Sequence, residues 1–228
     1  MEAIILAGGM GTRLRTVVPD LPKPMAPVAG RPFLEILLGS LATKGFSHAI
    51  LSTGYMAEKI SGHFGSCFAG IGLDYSVETA PLGTGGAVSQ ASRLVHDDHF
   101  FVFNGDTFLD LDAHAVDTMW MRTREAVIVA REVMNTERYG RLDIYQGRVV
   151  HFAEKGQPGP GLINAGCYVF GTDQFSGAVP AARFSLENDF LASLVKSTAV
   201  AVYVASGLFI DIGVPSDYKR AQRLLAQY

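Results

Sequence analysis

The chain has 228 residues, 48% of them hydrophobic, and a formal net charge of −3 from 19 Lys and Arg against 22 Asp and Glu. That length suits one α/β unit with a substantial core, while the lack of a bilayer-length apolar run or a long basic run argues against a membrane protein and an electrostatic nucleic-acid binder. Two cysteines, Cys67 and Cys167, are too few for a disulfide framework or a cysteine-held metal, and the N-terminus shows no leader pattern, so a cytoplasmic location is expected.

The first element is a short apolar strand, Ile4-Ile5-Leu6, followed closely by Gly8, Gly9 and Gly11. Glycines at a strand end let backbone N–H groups converge on an anionic oxygen, so this turn reads as a phosphate cradle. It is not a P-loop, because Gly-Lys-Ser/Thr occurs nowhere in the chain. Nor is it the dinucleotide fingerprint, because Leu14 stands in place of the third glycine and Pro19, Pro22, Pro24 and Pro27 follow where a helix belongs. Downstream lie Arg13, able to fork onto phosphate oxygens, and Lys23, a compact charge on the stiff Pro22-Lys23-Pro24 segment.

Arg31-Pro32 is then expected to open a helix through Phe33, Ile36, Leu37 and Leu41, with Gly45 as its stop. A strand at Ala49–Leu51, a helix near 56–64 and a strand at Leu73–Val77 complete a βαβαβ order. That alternation predicts an α/β fold with a mixed, mainly parallel, Rossmann-like sheet flanked by helices and ligands at the strands' carboxyl ends. The third strand ends at Glu78 and leads into a second glycine turn, Pro81-Leu82-Gly83-Thr84-Gly85-Gly86, which runs into a helix. Phe100–Phe103 is an apolar strand ending in Asn104-Gly105-Asp106, where a carboxylate is placed to hold Mg²⁺ beside a triphosphate. A helix near 112–122 and a strand at Ala126–Ala130 follow. Past Arg131, alternating segments near 141–145, 148–153 and 163–170 predict an antiparallel addition to the sheet. Leu208–Ile210 then leads to Asp211, and Pro215 is placed to start a last helix. One domain over 1–228 is expected.

The run LAGGMGTRL…PKPMAPV resembles the signature of the sugar-phosphate nucleotidyltransferases nearly letter for letter. The resemblance implies that Arg13 and Lys23 bind the triphosphate and assist attack at its α-phosphorus. It implies a nucleotide pocket built from Leu6, Ala7, Gly8, Gly9, Gly11, Thr12, Arg13, Lys23, Glu78, Pro81, Gly83 and Thr84. It further makes Asp106 a catalytic residue and a Mg²⁺ ligand, with Asp211 of Asp-Ile-Gly-Val-Pro as the second ligand. Gly140, Glu154-Lys155 and Asn164 of Asn164-Ala165-Gly166 become the sugar-phosphate contacts, although Glu-Lys alone is an ordinary solvated pair. The resemblance makes about 1–130 the nucleotide-binding half and about 131–228, with its antiparallel addition, the sugar-phosphate-binding half that takes the acceptor. Small-molecule substrates are implied, with no nucleic acid and no membrane partner.

The expected reaction is attack by a sugar 1-phosphate on a nucleoside triphosphate, releasing pyrophosphate and forming a nucleotide sugar. Glu78 bears on the base. Guanine offers two adjacent donors that one ionised carboxylate accepts together, whereas uracil, thymine and adenine each set an acceptor beside a donor. The alternative is that Glu78 faces solvent and backbone groups read the base. Within the family, the run TRLRTVVPDLPKPMAPV resembles the guanylyl-transferring branch that acts on a heptose 1-phosphate, with mannose 1-phosphate the close alternative and uridylyl or thymidylyl transfer the distant one. Two other readings stand beside these: a nucleotide-sensing regulatory subunit without activity, and a nicotinamide-dependent dehydrogenase disfavoured by Leu14.

Overall fold

A computed structural model describes residues 1–9, 11, 14, 17–152, 156, 158–177 and 182–228. In chain order the elements are β1 (Glu2–Leu6), the two-residue strands β2 (Pro27–Val28) and β3 (Arg31–Pro32), α1 (Phe33–Thr43), β4 (His48–Thr53), α2 (Ala57–Phe64), β5 (Cys67–Phe68) and β6 (Ile71–Val77). Then come α3 (Gly83–Ala91), β7 (His99–Asn104), β8 (Thr107–Leu109), α4 (Ala113–Thr123), β9 (Ala126–Val133), β10 (Leu142–Tyr145), β11 (Arg148–Phe152) and β12 (Gly161–Gly171). A π-helical segment (Leu186–Leu191) continues into α5 (Ala192–Ser197), followed by β13 (Val200–Ala205), β14 (Phe209–Asp211) and α6 (Pro215–Leu224). No helix among the described residues is long and apolar enough to cross a membrane.

Ten strands form one sheet in the order β10-β11-β13-β9-β12-β7-β1-β4-β6-β5. Strands β6, β4, β1 and β7 are parallel neighbours, β13 is parallel to β9, and only β5, β11 and β12 run against the rest. The sheet is therefore mixed and mainly parallel, as the alternating pattern predicts. Both faces are covered, which is why the strands read as apolar runs. In β1, Ile5 packs with Leu34, Leu37 and Leu51 on one face, while Ile4 packs with Ile50, Val88 and Phe100 on the other.

The antiparallel addition is present in two places: β10 and β11 extend the sheet at one edge, while β12 sits between β7 and β9 with its Tyr168, Val169 and Phe170 wholly buried. A run apolar on both faces belongs in the middle of a covered sheet. One expectation is corrected: Arg31-Pro32 does not begin the helix, because it pairs back on Pro27-Val28 and α1 starts at Phe33. Val200–Ala205 is a further strand, parallel to β9, for which the sequence reading had no element.

A smaller ladder, β8 with β14, stands apart from the main sheet. Its register sets Asp211 opposite Thr107, and the Ile212 N–H donates to the Asp106 carbonyl at 2.9 Å. Two aspartates far apart in sequence thereby meet. The ladder is held from behind by Leu14, Phe33, Ile36, Phe108, Ile210 and Ile212, which form a third buried cluster with Ala221 and Leu225 at the C-terminal end.

Candidate functional site

The carboxyl ends of β1, β4, β6 and β7 open on one cleft of about 730 Å³. Its floor is Leu6–Gly9 after β1 and Asn104–Asp106 after β7, and its walls include Gly54 and Tyr55 after β4 and Glu78–Pro81 after β6. Crevices outside the carboxyl ends of parallel strands are where open α/β sheets bind ligands. The β1 and β7 turns lie close together because residue 105 is glycine: a Cβ there would come within 2.4 Å of the Leu6 carbonyl, to which the Gly105 N–H donates at 3.0 Å.

The second glycine turn is set by packing as well as by the cleft. Cβ atoms on Gly85 and Gly86 would lie 2.2 Å from the Phe184 ring and 2.5 Å from the Ala182 carbonyl, so side chains there would push the 182–186 segment away. With glycine, that segment packs against the start of α3, and the Gly85 N–H donates to the Phe184 carbonyl at 3.0 Å. The following π-helical segment then brings Glu187 into the cleft, where it accepts from Thr84 Oγ1 at 3.0 Å and from the Tyr168 hydroxyl at 3.3 Å.

At the mouth, Lys23 Nζ donates to Asp106 Oδ2 and lies 3.9 Å from Asp211 Oδ1. Asp211 also accepts from the Gly213 N–H. Burial, and then the nearby Asp106 charge, push the Asp211 carboxyl above its ordinary value, with Lys23 pulling the other way. One ammonium thus faces two carboxylates. Glu78 is likewise pushed up by burial, partly offset by its Oε2 accepting from the Leu82 N–H at 2.8 Å. A carboxylate has about four acceptor positions, so the Leu82 bond leaves Glu78 capacity toward the cleft.

Of the expected nucleotide residues, Leu6, Ala7, Gly8, Gly9, Gly11, Lys23, Glu78, Pro81, Gly83 and Thr84 line this cleft, together with Asp106. Thr12, Arg13, Glu154 and Lys155 lie outside the described residues. Asn164 is not in the cleft lining: its amide donates to the Tyr168 hydroxyl at 2.7 Å and its carbonyl oxygen accepts from the Gly166 N–H at 3.0 Å. Through Tyr168 it connects to Glu187. Gly140 lines neither this cleft nor a second recess of about 560 Å³, and it is this recess, not the cleft, that Asp211 lines, with Arg131, Arg138, Tyr139 and Arg220. Sequence reasoning missed Gly54, Tyr55 and Glu187. The first two follow a strand it did find, so the strand-end rule could have named them, whereas nothing local marks Glu187.

The nucleotidyl transferase family model matches residues 2–228. D-glycero-alpha-D-manno-heptose 1-phosphate guanylyltransferase of Aneurinibacillus thermoaerophilus is 40% identical over 100% of both chains, and that of Campylobacter jejuni is 38% identical over 96% of this chain and 97% of its own. A crystal structure of HddC from Yersinia pseudotuberculosis complexed with GMP-PN aligns with TM-score 0.88 at 36% identity, covering 98% of each chain.

Proposed function

The chain belongs to the nucleotidyl transferase family, and from that membership we propose that it makes a guanosine diphosphate sugar from GTP and D-glycero-α-D-manno-heptose 1-phosphate. A phosphate oxygen of the sugar phosphate forms a bond to the α-phosphorus of GTP, the bond from that phosphorus to the β-phosphate bridging oxygen breaks, and pyrophosphate leaves. The attacking oxygen is already anionic, so no general base is required and the protein's task is alignment and charge neutralisation. On this reading residues 1–228 work as one nucleotidyltransferase domain.

The observation that carries the substrate is the full-length match, at 40% and 38% identity, to two heptose 1-phosphate guanylyltransferases. Mannose-1-phosphate guanylyltransferase of Mycobacterium tuberculosis is 34% identical, but this chain covers 63% of it. The geometry supports the reaction class. The Gly8–Gly11 turn cradles phosphates, and Glu78, whose Oε1 lies beside Gly8, accepts the two adjacent donors of guanine. Lys23, which spans the two aspartates in the free protein, turns its ammonium toward the triphosphate as substrate enters.

Asp106 and Asp211 fit a hard divalent cation: both carboxylates face the Lys23 ammonium, and burial together with the Asp106 charge disfavours the ionised form of Asp211. Mg²⁺ is the ion proposed, and when bound it would offset charge on the triphosphate. Arg13 keeps its proposed place on the phosphates, and Gly140, Glu154, Lys155 and Asn164 theirs on the sugar phosphate.

Pyrophosphate release, measured with GTP, UTP, dTTP and ATP against heptose 1-phosphate, mannose 1-phosphate and glucose 1-phosphate, tests the proposal. GTP with the heptose 1-phosphate should give the highest kcat/KM. A preference for mannose 1-phosphate would overturn the sugar and leave the base, and a preference for UTP or dTTP would overturn the base.

A further inference from the structure

The amino ends of the parallel strands hold a second constellation that the transferase chemistry does not use. Glu2 begins β1, His48 begins β4, and His96 precedes β7. Among the described residues this is the trio whose ligand atoms all lie within 4.8 Å of one another. Glu2 Oε1 lies 2.7 Å from His48 Nδ1 and 2.9 Å from His96 Nδ1. Its other oxygen, Oε2, accepts from the His96 and Asp97 backbone N–H groups at 2.8 Å each, which fixes the carboxylate with Oε1 facing the two rings.

We propose that Glu2, His48 and His96 form a binding site for an imidazole-preferring first-row divalent ion such as Zn²⁺, at the end of the sheet opposite the cleft. Zinc takes imidazole nitrogen and carboxylate oxygen at about 2.0–2.2 Å, so tetrahedral neighbours stand about 3.3 Å apart. Widening the two observed contacts by about half an ångström would admit the ion.

A second observation points the same way. His48 Nε2 lies 3.0 Å from Asp74 Oδ2 on β6, so its Nδ1 faces the site while its other ring nitrogen is tied to a carboxylate. That carboxylate–histidine arrangement is how proteins orient a metal-ligating imidazole and raise its basicity. Glu2 is only 5% exposed, whereas the His96 side chain is 75% exposed and gives an entry path. The rings of His48 and His96 lie 5.0 Å apart, tilted by 45°, so they converge on the carboxylate without stacking flat. The ion would clamp β1, β4 and the lead-in to β7, three strands whose opposite ends carry the cleft.

The test is titration of untagged, chelator-treated protein with Zn²⁺, by calorimetry and by thermal unfolding. To silence the two aspartates that face Lys23, the titration is repeated in an Asp106→Asn/Asp211→Asn background. One equivalent should bind in that background with micromolar affinity or tighter and raise Tm. His96→Ala, at an exposed position that leaves the core intact, should weaken binding at least tenfold, and Asp74→Asn about 10- to 100-fold. Absence of Zn²⁺ uptake in that background, or uptake unchanged by His96→Ala, would overturn the site.

Discussion

The two ends of the same parallel strands treat buried carboxylates in opposite ways. At the amino end, burial pushes the Glu2 carboxyl up, but the Asp97 N–H, the His96 and His48 rings and the His96 N–H outweigh it and hold the group at about 2. On the cleft side, the half-buried Glu78 after β6 and Asp211 at the end of the neighbouring β14 remain pushed above their ordinary values, since burial, joined at Asp211 by the Asp106 charge, exceeds what Lys23, Gly213, Arg138 and Leu82 return. Before any ion binds, the amino end is satisfied by the protein's own donors. The other holds charge that a ligand would complete, as binding sites do when they trade stability for readiness.

The largest effect should come from removing the Lys23 ammonium that faces both Asp106 and Asp211. Lys23→Ala should lower kcat/KM on the order of 10³-fold, because the charge on the triphosphate loses one of its protein counter-charges. Pyrophosphate-release kinetics check this, and a rate near wild type would remove Lys23 from the phosphate site.

At the opposite end, Glu2→Gln should leave kcat/KM alone but destabilise the fold by about 2 kcal/mol, since a buried acceptor of four hydrogen bonds loses its charge. Denaturant unfolding in metal-free buffer gives the number. A fall in turnover at unchanged stability would erase the distinction between the two ends.

For the base, Glu78→Gln should cost about 2 kcal/mol against GTP relative to UTP and dTTP, a change of more than tenfold in the kcat/KM ratio. An unchanged ratio would leave the base to backbone groups, with Glu78 serving only to hold the Leu82 N–H.

The smallest effect is the most diagnostic of sign. Asp211→Asn should raise stability without Mg²⁺ by about 1 kcal/mol, because it removes a half-buried charge beside Asp106 while an amide oxygen can still accept from Gly213. The same variant should need more Mg²⁺ for turnover. Stability lost rather than gained would mean that Lys23 already compensates Asp211 in full.

What the sequence revealed, and what it hid, follows from how local each signal is. Ile4–Leu6, Ala49–Leu51 and Phe100–Phe103 declare themselves as strands because burial on both faces leaves nothing but apolar residues, and the glycines and acids that follow them mark the cleft by position alone. The pairing of Lys23 with Asp106 and Asp211 depends on the β8–β14 ladder, whose register no local pattern gives. The place of β12 in mid-sheet, the β2–β3 ladder at Arg31-Pro32, and the path that carries Glu187 to Thr84 and Tyr168 all arise from tertiary contacts. The Glu2–His48–His96 group was invisible for the same reason: three scattered residues meet only once the strands lie side by side.

The measurement that bears most directly on the account compares pyrophosphate release from GTP and D-glycero-α-D-manno-heptose 1-phosphate, at saturating Mg²⁺, in the wild-type chain and in Asp106→Asn/Asp211→Asn. The account predicts robust turnover in the first and a loss on the order of 10³-fold or more in the second. Equal rates in the two, or no pyrophosphate from the wild-type chain with any nucleoside triphosphate, would contradict it.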